Sequence, residues 1–212
     1  MGYIFTLPDR DAHGRRVIFS KASAFDPARF TTSDMMRMHI MTFETLLNNE
    51  ENQVRGFTYV MDEQAVSWNQ ISLWTPSEVS KAFSCCERAL PMRHREIHFL
   101  NLPWTMSIIF AFAKSLLSEK IRKRFQTHSS LEALSKVVDV KVLPSEYGGK
   151  RSMKECVGLW KKELEANRSN LLELDQMRVS GVSFFSRSIC SSVGLFVRYI
   201  CWLLFLLETI DQ

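Results

Sequence analysis

Apolar positions recur two apart in some stretches and three or four apart in others, and this change of period lays out the elements. Residues 3–7 and 17–22 read as strands, joined by turn chemistry in Asp9-Arg10-Asp11-Ala12-His13-Gly14. Met36, Ile40, Phe43 and Leu47 share one helical face over 33–49. In the run Val54-Arg55-Gly56-Phe57-Thr58-Tyr59-Val60-Met61-Asp62, Phe57, Tyr59 and Met61 fall on one side of a strand. Thr75-Pro76-Ser77-Glu78 opens a helix, with Thr75 as N-cap, Pro76 at the first helical position and Glu78 closing a capping box. Its apolar face is Val79, Ala82, Phe83, Cys86 and Leu90, and Pro91 ends it.

A strand is predicted over 94–101, with Ile97 and Phe99 on one side. Ten of the fourteen residues in 104–117 are apolar and Lys114 is the single charge. That is too many for one buried stripe with a solvated back, so the helix sits buried, lines a cavity or touches membrane. A basic run follows at 120–124, then a short capped helix at Ser129-Ser130-Leu131-Glu132. A turn at 143–149 precedes a third capping box, Ser152-Met153-Lys154-Glu155. This box opens one long amphipathic helix through Val157, Trp160, Leu164, Leu171 and Leu174. Strands alternating with helices from 17 to 143 predict an α/β domain: a mostly parallel sheet with flanking helices.

The chain has 212 residues, 46% hydrophobic and 24% charged, enough for a single domain with a sizeable core plus an appendage. A net charge of +4 gives no ground for nucleic-acid binding. The five cysteines match neither a zinc spacing nor a disulfide framework, which suits a reducing, cytoplasmic setting. The opening residues lack the basic-then-apolar pattern of a secretory signal. Gly2 and Thr6 fit a loose myristoylation pattern, but a strand entering a sheet explains them better.

Catalytic patterns are missing. There is no Gly-x-Ser-x-Gly elbow and no phosphate-binding Gly-x-x-x-x-Gly-Lys loop. His94, Glu96 and His98 alternate on one predicted strand and would all point the same way, half of a metal site without a fourth ligand, so a polar strand face is the better reading. Cys85-Cys86 lies beside an apolar helix face and reads as packing. Neither an enzyme nor a bound metal or cofactor is expected.

Three blocks together carry a resemblance. Pro91-Met92-Arg93-His94-Arg95-Glu96-Ile97-His98-Phe99-Leu100-Asn101-Leu102-Pro103 is similar to the central strand and turn of CRAL-TRIO domains. The run Ser118-Glu119-Lys120-Ile121-Arg122-Lys123-Arg124-Phe125-Gln126-Thr127-His128 resembles that family's basic segment. Leu143-Pro144-Ser145-Glu146-Tyr147-Gly148-Gly149 resembles its ending signature, and Asp62 and Trp68 stand near its earlier Asp-plus-aromatic region. The blocks come in the family's order and spacing over roughly 2–178. They look most like the branch of the alpha-tocopherol transfer protein and cellular retinaldehyde-binding protein.

The resemblance implies a monomeric lipid-binding and lipid-transfer domain over 1–150, completed by a helix at 151–179. It implies an apolar pocket roofed by a mobile helix. Phe57, Tyr59 and Met61 would form its floor, extended by Ile97 and Phe99. Trp74, Val79, Phe83, Cys86 and Leu90 would form a wall, and Trp104, Ile108, Ile109 and Phe112 the lid. Arg93, Arg95, Lys120 and Arg124 match the family's phosphoinositide-binding cleft. The expected partners are a small hydrophobic ligand (tocopherol, retinoid or phospholipid) and phosphoinositide-containing membranes, with peripheral association. A non-transporting phosphoinositide-binding scaffold, or an inactive shortened form, is the rival expectation. The helical domain that usually precedes the family's lipid domain is expected to be missing. Residues 180–212 form an atypical hydrophobic tail, in which 189–207 has the length of a membrane span. Arg198 near its middle would cost about 2.5–3.5 kcal/mol on insertion.

Overall fold

The computed structural model describes residues 2–84 and 90–176, and side-chain statements do not extend to Lys81, Phe83, Ser84 or Asp175. Five strands form one sheet in chain order: β1 (Ile4–Arg10), β2 (Arg16–Lys21), β3 (Phe57–Asp62), β4 (His94–Leu100) and β5 (Phe125–His128). β1 and β2 pair antiparallel, and the later pairs are parallel. Parallel neighbours need crossovers, and these are helical. α1 (Thr32–Leu47) and α2 (Glu50–Arg55) link β2 to β3. α3 (Trp68–Ile71) and α4 (Pro76–Ser84) lead toward β4, and α5 (Ser107–Leu116) and α6 (Glu119–Arg122) lead to β5. After the sheet come α7 (Leu131–Ser135), α8 (Met153–Ala166) and α9 (Arg168–Gln176).

The register sorts the two sheet faces. Phe5, Phe19, Val60 and His98 pair across four strands and form a row on one face. Phe5, Phe19, Val60 and His98 are fully buried, and Tyr147 meets the Phe19 ring at 5.0 Å. α7 packs against β4 and β5, and α8 against β1. Burying each such aromatic or branched side chain contributes about 1.5–3 kcal/mol. The opposite face carries two rows, Tyr59–Ile97–Phe125 and Ser20–Met61–Phe99.

Two expectations change at this level. His94, Glu96 and His98 do not share a side. Phe57 pairs with His94 but Thr58 with Glu96, so Arg95 is an extra residue, a bulge. The bulge turns His94 to the same face as Ile97, while Glu96 and His98 lie on the other. There Arg15 holds Glu96 at 2.6 Å, and His98 meets Glu96 at 3.3 Å and His128 at 3.0 Å. Among the described residues no cluster of His, Cys, Asp and Glu could hold a metal ion. The single helix expected after residue 152 is two. Asn167 closes α8 through its backbone N–H, and its side chain links to Asn48 at 2.9 Å and to the Thr45 carbonyl at 3.4 Å. The corner thereby docks onto the end of α1.

The ending signature is a 3-10 turn over Ser145–Tyr147 with Gly148 left-handed at φ 92°. At Gly149 a Cβ would lie 1.6 Å from the Leu143 carbonyl oxygen, so only glycine fits. Tyr147 donates to Asp62 at 2.5 Å, and Asn101 donates to the same carboxylate at 3.0 Å. One buried carboxylate thus ties the ends of β3 and β4 to the closing turn.

Candidate functional site

Between the second sheet face and the helices α1, α4 and α5 lies a cavity of about 210 Å³. Tyr59, Met61, Ile97, Phe99 and Phe125 floor it. Met35, Met36 and Phe43 line it from α1, and Val79 and Ala82 from α4. Met106, Ile109, Phe110, Ala113 and Leu117 close it. Phe110 crosses the gap to meet Phe99 edge-on at 4.8 Å and Phe125 at 6.0 Å, so α5 rests on the floor through two aromatic contacts.

Of the pocket residues expected from the sequence, Tyr59, Met61, Trp74, Val79, Ile97, Phe99 and Ile109 line this cavity. Phe57 and Leu90 do not line it and are instead packed in the core. The Phe83 side chain and Cys86 fall outside the described residues. The lid differs most from expectation. Trp104 and Ile108 are 83% and 81% exposed, and Phe112 is also exposed. With Leu116 they form an outward stripe at a spacing of four, while Ile109, Phe110, Ala113 and Leu117 turn inward. A helix apolar on all sides gives periodicity no basis for choosing between the two stripes.

The cavity also holds polar groups of which the sequence reading assigned only Tyr59 to it. Tyr59 and His94 share a hydrogen bond of 2.7 Å. Tyr3 and His39 share one of 3.1 Å. Gln70 is fully engaged: its amide donates to the carbonyls of Ala22 and Phe25, both at 2.6 Å, and its oxygen accepts from the Ser67 N–H. Glu63 also lines the cavity. Burial, reinforced by the Asp62 charge, pushes its carboxyl up to about 7. Burial pushes His39 down to about 4, so its ring is neutral at physiological pH. These residues come from four distant segments, and no local motif links them.

The basic residues gather at the other end of β4. Arg93 and Arg95 donate to the Val54 and Arg55 carbonyls at 3.5 and 3.3 Å, covering the C-terminus of α2. Gly56 permits this: with φ 85°, its Cα comes so near that a Cβ would sit 2.5 Å from the Arg93 carbonyl oxygen. Arg124 donates to the His94 carbonyl, between the other two arginines. Lys120 is exposed on α6, four residues before Arg124. All three guanidinium groups thus bond carbonyls at or beside the start of β4.

Comparison with known proteins adds independent findings. The CRAL/TRIO domain profile matches residues 1–149. Clavesin-1 of Rattus norvegicus is 32% identical over 149 residues, 70% of this chain and 42% of that protein. Clavesin-2 of Homo sapiens is also 32% identical, over 70% of this chain and 46% of its own length. The chain thus spans less than half the length of these curated relatives. The crystal structure of Sfh5 superimposes with a TM-score of 0.58 at 18% identity, covering 81% of this chain and 64% of that one, a likeness of fold. The narrower tocopherol and retinaldehyde branch rests on the sequence motifs alone.

Proposed function

The chain belongs to the CRAL/TRIO domain family of lipid-binding and lipid-transfer proteins, and from that membership we propose that it carries one small hydrophobic molecule between membranes. The observation that carries this reading is the largely apolar chamber of about 210 Å³ between sheet and α5. A water molecule needs only about 10–15 Å³ measured this way, and an apolar cavity of such excess favours a greasy occupant over solvent. The cargo class is a tocopherol, a retinoid or a phospholipid. The chain does no chemistry on it. Cys156, the cysteine described, is buried on α8 away from the chamber, and burial raises its thiol pKa.

Docking and release follow from α5 and its neighbours. Trp104, Ile108, Phe112 and Leu116 present an apolar stripe outward, suited to insertion at a membrane interface. Arg93, Arg95, Lys120 and Arg124 supply attraction for phosphoinositide headgroups, each cation contributing about 1 kcal/mol near an anionic leaflet. Once docked, α5 lifts from Phe99 into the apolar phase, and the cargo leaves without crossing water. Membrane association is peripheral in this reading. Among the described residues no helix is long and apolar enough to cross a membrane, and the proposed tail anchor at 189–207 lies outside them.

The test is cargo transfer between vesicles with and without phosphoinositide. Arg124 is left intact because its guanidinium bonds the His94 carbonyl and holds the strand edge. A triple Arg93→Gln, Arg95→Gln, Lys120→Gln variant is expected to lose about a hundredfold in affinity for phosphoinositide vesicles while binding cargo normally. Unchanged transfer from such vesicles contradicts the docking step. Vesicle binding by the parent chain with no retained cargo points to the non-transporting scaffold instead.

A further inference from the structure

The proposed cargo chamber is not uniformly apolar: one end is polar and carries an acid, Glu63, that no described side chain bonds. The Lys21 N–H donates to the Tyr3 carbonyl at 2.8 Å, and Lys21 pairs with Asp62 in the sheet. Tyr3 and Glu63 therefore flank the same end of the sheet, roughly 10 Å apart across two strand spacings. Ser20, one residue before Lys21 and opposite Ile4 and Met61, also lines the chamber. His39 reaches in from α1 to the Tyr3 hydroxyl at 3.1 Å. Tyr3, Ser20, His39 and Glu63 all border one continuous space.

Among the described residues no side chain donates a hydrogen bond to the Glu63 carboxyl, and no cation pairs with it. The neighbouring carboxylate differs: Asp62 is bound by Tyr147 and Asn101. A carboxyl facing a greasy chamber without a partner is costly, and a ligand group that donates a hydrogen bond removes that cost. Glu63 can accept from such a donor, and the Tyr3 oxygen or the free His39 ring nitrogen completes the contact. A carboxylate or phosphate head would meet Glu63 with like charge, and among the described residues no cation pairs with Glu63 to offset it.

We propose that this end of the chamber reads the polar head of the cargo, and that Glu63 selects a lipid with a neutral hydroxyl head over one with a carboxylate. The inference rests on the carrier reading, because it names the head chemistry accepted by the same chamber. Met61 and Phe99 guide the apolar body, and Glu63 with the Tyr3–His39 pair fixes its direction. The head lies at the Glu63 end and the body runs toward Tyr59 and His94.

The experiment loads the full chain with diphenylhexatriene, a hydrocarbon dye without a polar head, and displaces it at pH 8 with oleyl alcohol or oleate. The two competitors share a chain and differ in head. The expected result is that the alcohol displaces the dye at about a tenfold lower concentration than oleate. Glu63→Leu is expected to bring the two within about twofold, and Glu63→Gln to keep tight alcohol binding. A ratio unchanged in Glu63→Leu, or a parent chain that prefers oleate, overturns the assignment while dye uptake still upholds the chamber. Failure of the parent chain to take up the dye at all overturns both the assignment and the carrier reading.

Discussion

Asp62 and Glu63 are adjacent carboxyls with opposite circumstances. Asp62 is spent on structure: it accepts from Tyr147, Asn101 and the Gln64 N–H. Tyr147→Phe leaves one of its oxygens short of a donor inside the protein and is expected to cost about 1–3 kcal/mol in urea denaturation. Glu63 instead makes folding depend on pH. Its carboxyl rises from an ordinary 4.5 to about 7 in the fold, so its contribution is present below pH 4.5 and is lost as pH climbs through 7. His39 falls from 6.5 to about 4, so its contribution is present above 6.5 and is lost as pH drops through 4. His98 and His128, also lowered chiefly by burial, act in the direction of His39. The two trends oppose each other between about 4.5 and 6.5. Glu63→Gln removes one of them and is expected to gain up to about 3 kcal/mol relative to the parent at pH 8, a difference that vanishes below pH 4.5. A gain independent of pH, measured in the same denaturation series, would contradict the assigned burial.

Among the elements, α5 does two jobs on two faces. Its inner face rests on Phe99 through Phe110, and its outer face carries Ile108, Phe112 and Leu116 into solvent, in line with Trp104 in the turn before it. Trp104→Ser with Ile108→Ser is expected to leave the unfolding midpoint within the small range of surface changes while weakening vesicle binding roughly tenfold in a flotation assay. Phe110→Ala should do the reverse, costing about 2–4 kcal/mol through the lost aromatic contacts. The sequence showed that this helix was too apolar for an ordinary surface element, but not which stripe faced inward, because both are apolar. The β4 bulge was hidden for a related reason. His94 to Phe99 reads as strict alternation, and one inserted residue reverses the side of everything before it. The closing turn was more legible, since Gly148-Gly149 stands where the chain needs a left-handed residue and a close carbonyl approach. Gly149→Ala is expected to abolish the turn and lower thermal stability sharply.

At the scale of the whole molecule, the alternation of strand and helix sufficed for a mostly parallel sheet, because consecutive parallel strands demand helical crossovers. The floor of the chamber was legible in the same way, since Tyr59, Met61, Ile97 and Phe99 lie two apart on paired strands. Its polar end was not. Tyr3, Ser20, His39 and Glu63 are scattered along the first third of the chain, and only the sheet register and α1 bring them together. The chamber and the arginine corner meet at the start of β4: His94 faces inward, while Arg93 and Arg95 cap α2 outside. In the proposed reading, headgroup capture at that corner would take place one residue from the chamber wall. Native mass spectrometry of the gently purified full chain tests the central claim most directly, alongside an Ala113→Phe variant that fills the chamber from α5. The expected spectrum shows the parent chain carrying an adduct of a few hundred daltons, identifiable as a lipid after extraction, and the filled variant without it. A bare parent mass, or an adduct equally abundant on both proteins, would contradict a cargo held between the sheet and α5.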